Sequence, residues 1–340
     1  MGKKKSKIGN RDTLMDIFKG ITIFLIVLGH LDWPLWFLRM FIGFHISLFF
    51  MFTGFFIFES VKRYSFWQYF KQKLSQIMRV YLACLILQLG FTLLADVSNQ
   101  KNILDVRIQD FFWVLLTGSN HHFKVAGYSS YLWFLPIFFI FLIFLFFIFK
   151  NKKKNLFVVF VAIFLLSVLT VGFTNARVYD TLYYPYNLDK IFIVLVLGFL
   201  GHYIRSIRTF LEKNSKLLLF ISSLIIVIFF NMWQMSLRHM QMSSVSLFFV
   251  YAIVGFIFVF SLSHLISQKR YLYKIKNILV FWGENTLGIY VLHTFLNQWV
   301  PFYMGVNFSQ NTMYNVVMLV FTFACYWLFH RFFDIANFQF

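Results

Sequence analysis

The stretch from residue 131 to residue 154 reads YLWFLPIFFIFLIFLFFIF and then KNKKK. Its first 19 residues carry no charge, and four of its last five residues are lysines. An α-helix needs about 20 mostly apolar residues to cross the hydrocarbon core of a bilayer. A run of this length, ended abruptly by positive charge, is typical of a membrane-spanning helix. The same pattern recurs along the chain.

The composition of all 340 residues supports this interpretation. Hydrophobic residues make up 60% of the chain and charged residues only 13%, whereas soluble globular proteins contain about 45–50% and about 25%. So few charges cannot cover a water-exposed surface, and such high hydrophobicity excludes intrinsic disorder. The two cysteines, Cys84 and Cys325, both lie in apolar runs, which excludes a disulfide-stapled fold.

Ten stretches are apolar and long enough to span a membrane. The alternation of apolar and polar residues that marks barrel strands is missing, so helices are the expected spanning structure. We therefore predict an all-α polytopic membrane protein with ten transmembrane helices. The predicted spans cover residues 17–36, 40–58, 79–96, 131–149, 156–174, 188–204, 217–235, 245–266, 286–303 and 312–333.

The distribution of positive charge predicts how these spans are oriented. Five Lys or Arg residues precede the first span, five lie between the second and third, and four lie in each of the three later connections on that side, with Arg331 near the carboxyl end. The opposite side carries seven: Arg39, Lys101, Arg107, Lys124, Arg177, Lys190 and Arg238. Because cytoplasmic loops are enriched in Lys and Arg, both termini are predicted to be cytoplasmic. The net charge of +19 then reflects topology, and no nucleic-acid partner is expected.

Three parts of the chain follow from this topology. Residues 1–16 form a basic cytoplasmic segment, residues 17–333 form the membrane domain, and residues 334–340 form a short cytoplasmic tail. The longest hydrophilic segment has about 35 residues, which is too short to fold as an additional soluble domain.

Ionisable residues are costly inside a bilayer and usually face a cavity or a partner, and Asp16, Lys19 and His30 lie at the start of the first span or within it. Asp16 and Lys19 are three residues apart, so they can form an ion pair on one helical face. Lys19 and His30 are eleven residues apart, which corresponds to about three helical turns and a rise of about 16.5 Å. We expect both side chains to face one groove, with Lys19 near the cytoplasm and His30 deeper. An alternative is that Asp16 and Lys19 only pair at the membrane interface.

Further polar residues lie in other spans. A short hairpin joins the first two spans, so His30 and His45 could share a pocket, and two imidazoles there would suit proton transfer. A hydrogen bond between helices is the alternative for either histidine. Glu284 and His293 lie at the start of the ninth span and within it, where Glu284 could instead cap the helix. The spacing of His and carboxylate residues matches no metal site, and we predict none.

Four blocks of sequence resemble the acyltransferase-3 family of integral membrane O-acyltransferases. They are RDTLMDIFKGITIFLIVLGH at 11–30, FHISLFFMFTGF at 44–55, YLWFLP at 131–136 and GENTLGIYVLH at 283–293. The resemblance is strongest to the branch of fucose 4-O-acetylases and polysaccharide O-acetyltransferases. It touches most of the chain, and the ten-span core of that family equals the number of spans predicted above.

The resemblance implies roles for particular residues. The family has a basic residue, ten intervening positions and a histidine in its first span, which here fall on Lys19 and His30. It implies that their groove handles acetyl-CoA and that His30 is catalytic, and we predict Lys19 and Asp16 as further catalytic residues. Substrate-binding positions are implied for His45, Arg79, Trp133, Glu284 and His293. Family members often have two arginines three residues apart before the third span, whereas this chain has Gln76 and Arg79, and Lys73 could substitute for the missing arginine.

The function expected from the resemblance is the transfer of an acetyl group from acetyl-CoA to a hydroxyl of a cell-surface or lipid-linked polysaccharide sugar, in a bacterial plasma membrane. A thioester is already activated, so acetyl-CoA is expected as a cosubstrate and no bound cofactor is expected. The other expected partners are membrane lipids and other polysaccharide-synthesis proteins. Some relatives carry an extracytoplasmic esterase-like domain after the tenth span; without it, this chain is expected to act alone or with a separate partner.

Two other functions are compatible with these features of the sequence. The first is a transporter or flippase for a lipid-linked saccharide, in which Lys19 and His30 line a path. Inverted repeats, which many transporters contain, are not evident in the sequence. The second is a structural subunit of a polysaccharide-synthesis complex. Transfer of labelled acetyl groups to a glycan would distinguish the enzyme from both.

Overall fold

The computed structural model describes residues 12–31, 33–98, 112, 114–115, 130–150, 155–175, 185–230, 237, 244–304 and 312–335. Within these ranges the chain is helical and contains no β-strand, so the predicted all-α class is confirmed for them. The α-helices are α1 (Thr13–Gly29), α2 (Leu35–Arg39), α3 (Ser47–Arg63), α4 (Phe66–Lys73), α5 (Arg79–Ser98), α6 (Phe134–Lys150), α7 (Leu156–Asn175), α8 (Ile191–Ser206), α9 (Arg208–Lys213), α10 (Ser215–Phe229), α11 (Val245–Gln268), α12 (Tyr273–Glu284), α13 (Thr286–Met304) and α14 (Thr312–Ile335). Short 3₁₀ turns occur at 130–133, 185–190 and 270–272, and a π-helical turn occurs at 74–78.

Helix α1 lies inside the bundle. A helix that is apolar on all sides must be covered on all sides, and most residues of α1 between Leu14 and Leu28 are buried. Helices α11, α12 and α13 pack against it, and α3 touches it after the chain reverses direction. The helix that carries Asp16 and Lys19, with His30 as its C-terminal cap residue, is therefore central to the fold.

The contact between α1 and α12 depends on two glycines. A Cβ added to Gly20 would overlap the backbone carbonyl of Leu279, and a Cβ added to Gly283 would overlap the backbone carbonyl of Asp16. Small residues allow two helices to approach at backbone distance, as is common in membrane proteins. The two helices therefore have a fixed register, with Asp16 and Gly20 opposite Leu279 and Gly283.

Helices α12 and α13 continue this alignment to the other end of α1. The segment around Gly20 contacts residues near Leu279, and His30, ten residues further on, contacts His293. Contacts advance in the same direction along both segments, so α12 and α13 run parallel to α1. Between them the helix is interrupted at Asn285, whose side-chain amide donates a hydrogen bond to the carbonyl of Phe281. The predicted ninth span at 286–303 coincides with α13, and α12 adds a helix before it.

The first two predicted spans differ in detail from the helices. Helix α1 begins at Thr13 and ends at Gly29, four and seven residues before the predicted limits of 17 and 36. Pro34, which lacks an N–H donor and fixes its φ angle, lies in the break that follows. The short helix α2 and a turn at 40–46 then precede α3, which begins at Ser47 instead of residue 40.

Several predicted basic connections meet at one end of the bundle. Arg208 forms an ion pair with Asp12 at 2.7 Å, and Arg205 forms one with Glu59 at 2.8 Å. Lys150 donates a hydrogen bond of 2.8 Å to the carbonyl of Val61. We call the end of the bundle that carries these three contacts the basic end. These contacts bring the segments around Asp12, Glu59, Lys150 and Arg205 to the same end of the bundle, and the location of this end on the cytoplasmic side stays a prediction.

The lengths of the helices test the membrane prediction only in part. Among the described residues, α11 is long and apolar enough to cross a membrane, and shorter apolar helices cover Phe134–Lys150, Leu156–Gly172, Ser215–Phe229 and Met313–Leu328. The number of ten spans and the cytoplasmic location of both termini stay predictions. The predicted segments at 1–16 and 334–340 lie mostly outside the described residues.

Candidate active site

Three histidines meet at the end of α1 that lies opposite the basic end. The ring centroids of His30 and His45 are 6.3 Å apart, and those of His30 and His293 are 5.1 Å apart. Both neighbours present their rings at steep angles to the His30 ring, 74° and 61°. His45 and His293 are buried, whereas His30 is half-buried. The predicted proximity of His30 and His45 is confirmed, and His293 joins them.

Backbone contacts fix the orientation of two of the rings. Nδ1 of His30 lies 2.7 Å from the carbonyl oxygen of Ile26, and Nδ1 of His45 lies 2.8 Å from that of Ile42. A carbonyl oxygen only accepts hydrogen bonds, so Nδ1 carries the proton in both rings. In the neutral ring the basic lone pair is then on Nε2. This tautomer allows His30 to act as a general base or as a nucleophile through Nε2.

Gly29 allows the second histidine to lie against α1. The Nε2 atom of His45 is 3.2 Å from the position that a Cβ of Gly29 would occupy. A side chain at residue 29 would therefore press on the His45 ring. The small residue before His30 thus contributes directly to the geometry of the histidine cluster, which we define as His30, His45 and His293.

The predicted ion pair lies towards the opposite end of the same helix. Nζ of Lys19 is 2.8 Å from Oδ1 of Asp16, with 25% of the Lys19 side chain and 7% of the Asp16 side chain exposed. Ile23 and Ile26, which lie between Lys19 and His30 on that face of α1, are buried. The face that carries both Lys19 and His30 is therefore covered by packed side chains between its two ends.

The region around Arg79 contains an irregular helix. The π-helical turn at 74–78 joins α4 to α5, and Arg79 begins α5 with an exposed side chain. Nζ of Lys73 donates a hydrogen bond of 3.1 Å to Oε1 of Gln76. The ammonium of Lys73 is thus beside residue 76, and its substitution for the missing arginine stays a prediction. Burial lowers the pKa of Lys73, and π-turns of this kind are frequent at functional sites.

Trp133 is part of a buried charged group that the sequence analysis missed. Lys190 forms an ion pair with Asp189 at 2.7 Å, and its Nζ lies 5.7 Å from the centroid of the Trp133 ring. All three side chains are buried or nearly so. Asp189 and Lys190 fall inside the predicted sixth span at 188–204. Ionisable side chains are costly in a bilayer, so the argument that identified Asp16 and Lys19 as candidate functional residues applies to this pair as well. The distribution of positive charge alone places Lys190 in a loop.

Aromatic rings connect this group to the histidine cluster. Trp133 contacts Phe134, whose ring centroid is 5.4 Å from that of Tyr290. Tyr290 in turn lies 5.3 Å from His293. Trp133 is therefore near the histidine cluster without belonging to it. Glu284 is the exposed last residue of α12 and lies outside the cluster.

A comparison with protein families shows which family the chain belongs to. A family model described as an acyltransferase domain, that of acyltransferase-3, matches residues 13–331. The chain belongs to the acyltransferase-3 family. The match runs from the first residue of α1 into the last turns of α14 and includes every residue of the histidine cluster. No curated protein and no solved structure matches the chain.

Membership of the family establishes a coarse function. The protein is a membrane acyltransferase, since members of this family are membrane proteins. In this acyltransferase, the structure brings His30, His45 and His293 together and pairs Asp16 with Lys19. It places Arg79, Trp133 and Glu284 elsewhere. Among the described residues, no group of three His, Cys, Asp or Glu side chains could hold a metal ion.

Proposed function

We propose that this acyltransferase transfers an acetyl group from acetyl-CoA to a sugar hydroxyl of a cell-surface or lipid-linked polysaccharide, and that it belongs to the branch of fucose and polysaccharide O-acetylases. The histidine cluster, in a chain of this family, is the observation that carries the proposal. A base positioned beside two other imidazoles suits the removal of a proton from an alcohol. The basic end of the bundle then faces the cytoplasm, where acetyl-CoA is found.

The reaction uses His30 as the group that moves the proton. Nε2 of His30 accepts the proton of the sugar hydroxyl while the hydroxyl oxygen attacks the thioester carbonyl. The bond between carbonyl carbon and sulfur breaks, and the departing thiolate receives the proton from the His30 imidazolium. The products are the acetyl ester and the free thiol. A route in which Nε2 first takes the acetyl group uses the same atom.

The remaining residues position the two substrates. Lys19, held by Asp16, contributes a positive charge where the anionic donor approaches the core of the bundle. Arg79 and Lys73 add positive charge on the same predicted cytoplasmic side. Since Ile23 and Ile26 cover the path along α1, passage of the acetyl arm requires their side chains to move aside. The acceptor approaches His30 from the opposite end, near Trp133.

One observation favours the alternative function of a transporter or flippase. Discontinuous helices often form transport sites, and the segment parallel to α1 is broken at Asn285 between α12 and α13. A transporter would move the saccharide without acetylating it. The decisive experiment therefore follows the acetyl group itself.

We expect membranes that contain the protein to transfer label from radiolabelled acetyl-CoA to glycan in a time-dependent manner, because the donor thioester is activated. Membranes from the same cells without the protein provide the control. NMR of the cell-surface polysaccharide with and without the protein would identify the acetylated hydroxyl. Label that stays in acetyl-CoA while a saccharide crosses the membrane would contradict the proposal and support the transporter.

A second prediction concerns Gly29. We expect Gly29→Ala to lower kcat by roughly threefold to tenfold, because the new methyl group shifts the His45 ring and small misplacements are costly in active sites. The labelled-acetyl assay gives the rate, and Gly90→Ala is the matched control, since a Cβ at Gly90 meets nothing within 4 Å. Equal activity of both variants would show that the position of His45 does not affect the reaction.

A further inference from the structure

A cleft of about 370 Å³ opens where α11 ends and α12 begins. Three cations line it, Lys269, Arg270 and Lys276, together with Tyr273 and Ser267. No carboxylate lines the cleft, and residues 267–277, SQKRYLYKIKN, contain no acidic residue. We call this the α11–α12 cleft. Its charge selects an anionic ligand.

Two features of the cleft favour a phosphorylated ligand with an aromatic base. Nζ of Lys276 lies 3.5 Å from the carbonyl oxygen of Ser267, so this cation is held across the cleft near the end of α11. Lysine and arginine side chains bind phosphate oxygens through charge-assisted hydrogen bonds. Tyr273 is 61% exposed, and an exposed aromatic ring is a stacking surface for a nucleobase. Cations and an aromatic ring together fit a nucleotide.

Helices α12 and α13 connect the α11–α12 cleft to the histidine cluster. Helix α12 begins at the cleft, packs against α1 at Gly20 and Asp16, and is followed by α13, which carries His293. From Lys276 to His293 there are 17 residues, which correspond to about 25 Å along a helical path. A single ligand that reaches from the cleft to His30 must therefore be long and carry its negative charge at one end. A nucleotide joined to a flexible acyl-carrying arm has this form.

We propose that the α11–α12 cleft binds the nucleotide phosphates of the acyl-CoA donor. Lys269, Arg270 and Lys276 contact the phosphates, Tyr273 stacks on the adenine, and the acyl arm extends along α12 and α1 towards His30. This inference rests on the proposed function, because it assigns a site to the proposed donor. The phosphate of an anionic lipid headgroup has the same chemistry, so the experiment must separate the two sources.

Binding of radiolabelled acetyl-CoA to the full-length protein in phosphatidylcholine nanodiscs tests the proposal. We expect the triple variant Lys269→Gln, Arg270→Gln, Lys276→Gln to weaken binding by about tenfold or more, since each lost cation removes a contact to phosphate. The matched control removes three lysines elsewhere at the basic end, Lys62→Gln, Lys213→Gln and Lys216→Gln. Dephospho-CoA, which lacks the 3′-phosphate, is expected to bind the wild type less tightly and to lose less affinity in the triple variant.

Each outcome of these binding measurements supports or overturns the assignment of the α11–α12 cleft. Equal affinity of the wild type and the triple variant for acetyl-CoA would overturn the assignment. A defect that occurs only in nanodiscs containing phosphatidylglycerol, or that the control variant shares, would overturn it in favour of a lipid headgroup or a general charge effect. If the triple variant does not express, the single variants Lys269→Gln and Lys276→Gln are expected to show about threefold defects. Wild-type protein that binds acetyl-CoA through the cleft but transfers no acetyl group would overturn the proposed function and leave the assignment of the cleft intact.

Discussion

Replacing His30 by alanine is expected to reduce acetyl transfer by about 10²- to 10⁴-fold, the range that a positioned general base contributes. Nδ1 of His30 is committed to the carbonyl of Ile26 at 2.7 Å, so the reactive lone pair is on Nε2 and no other atom of the side chain can replace it. His30→Gln keeps much of the side-chain size and is expected to be equally inactive, because an amide has no basic nitrogen. The measurement is the initial rate of label transfer from acetyl-CoA to glycan in purified membranes.

His264→Ala is the matched control for this variant. His264 lies in α11, with Nε2 within 2.6 Å of the Gln268 side-chain amide, and it takes no part in the proposed reaction. Its loss removes an imidazole from the same bundle without touching the histidine cluster. If His30→Ala expressed at the wild-type level and transferred acetyl groups at the rate of His264→Ala, the catalytic role of His30 would be refuted.

Gly20→Ala is expected to lower the stability of the protein strongly. The new methyl group would overlap the backbone carbonyl of Leu279, and a backbone cannot rotate aside as a side chain can. Helices α1 and α12 must therefore separate, and overpacking of this kind costs about 1–3 kcal/mol or somewhat more. We expect a lower midpoint of thermal unfolding in detergent, together with lower activity because the register of α1 against α12 and α13 changes.

Gly172→Ala separates this steric effect from the general effect of replacing glycine in a helix. A Cβ at Gly172 meets nothing within 4 Å, so its methyl group adds helix propensity without overlap. The unfolding midpoint of this control should equal or exceed that of the wild type. A Gly20→Ala protein as stable as the control would show that α1 and α12 do not depend on backbone contact.

Much of the fold follows from local pattern. The long apolar runs predicted helices, and the described part of the chain is helical with no strand. The break between α1 and α3 was less predictable in detail, because the run from 17 to 36 is predominantly apolar along its length while the helix ends at Gly29. Hydropathy registers only the polarity of side chains. Pro34 and the hydrogen bonds of the backbone decide where the helix stops.

The candidate site was predictable to a smaller extent. The separation of three residues between Asp16 and Lys19 was enough to predict their ion pair, since residues three apart on a helix are neighbours. His293 had no such local relation to His30, which is 263 residues earlier in the chain. Only the similarity of residues 283–293 to the family motif indicated a role for His293. The pair Asp189 and Lys190 was visible in the sequence, but its contact with Trp133 joins residues from different helices.

The sequence alone determined the helical class of the described residues and the ion pair of Asp16 with Lys19, because helix periodicity and hydropathy are local properties. The tertiary structure alone decided that His293 lies beside His30, that Lys190 lies over Trp133, and that three cations surround a cleft beneath α12. These arrangements depend on the register between separate helices. That register is set by steric fit at positions such as Gly20 and Gly283, which no periodicity within one helix encodes.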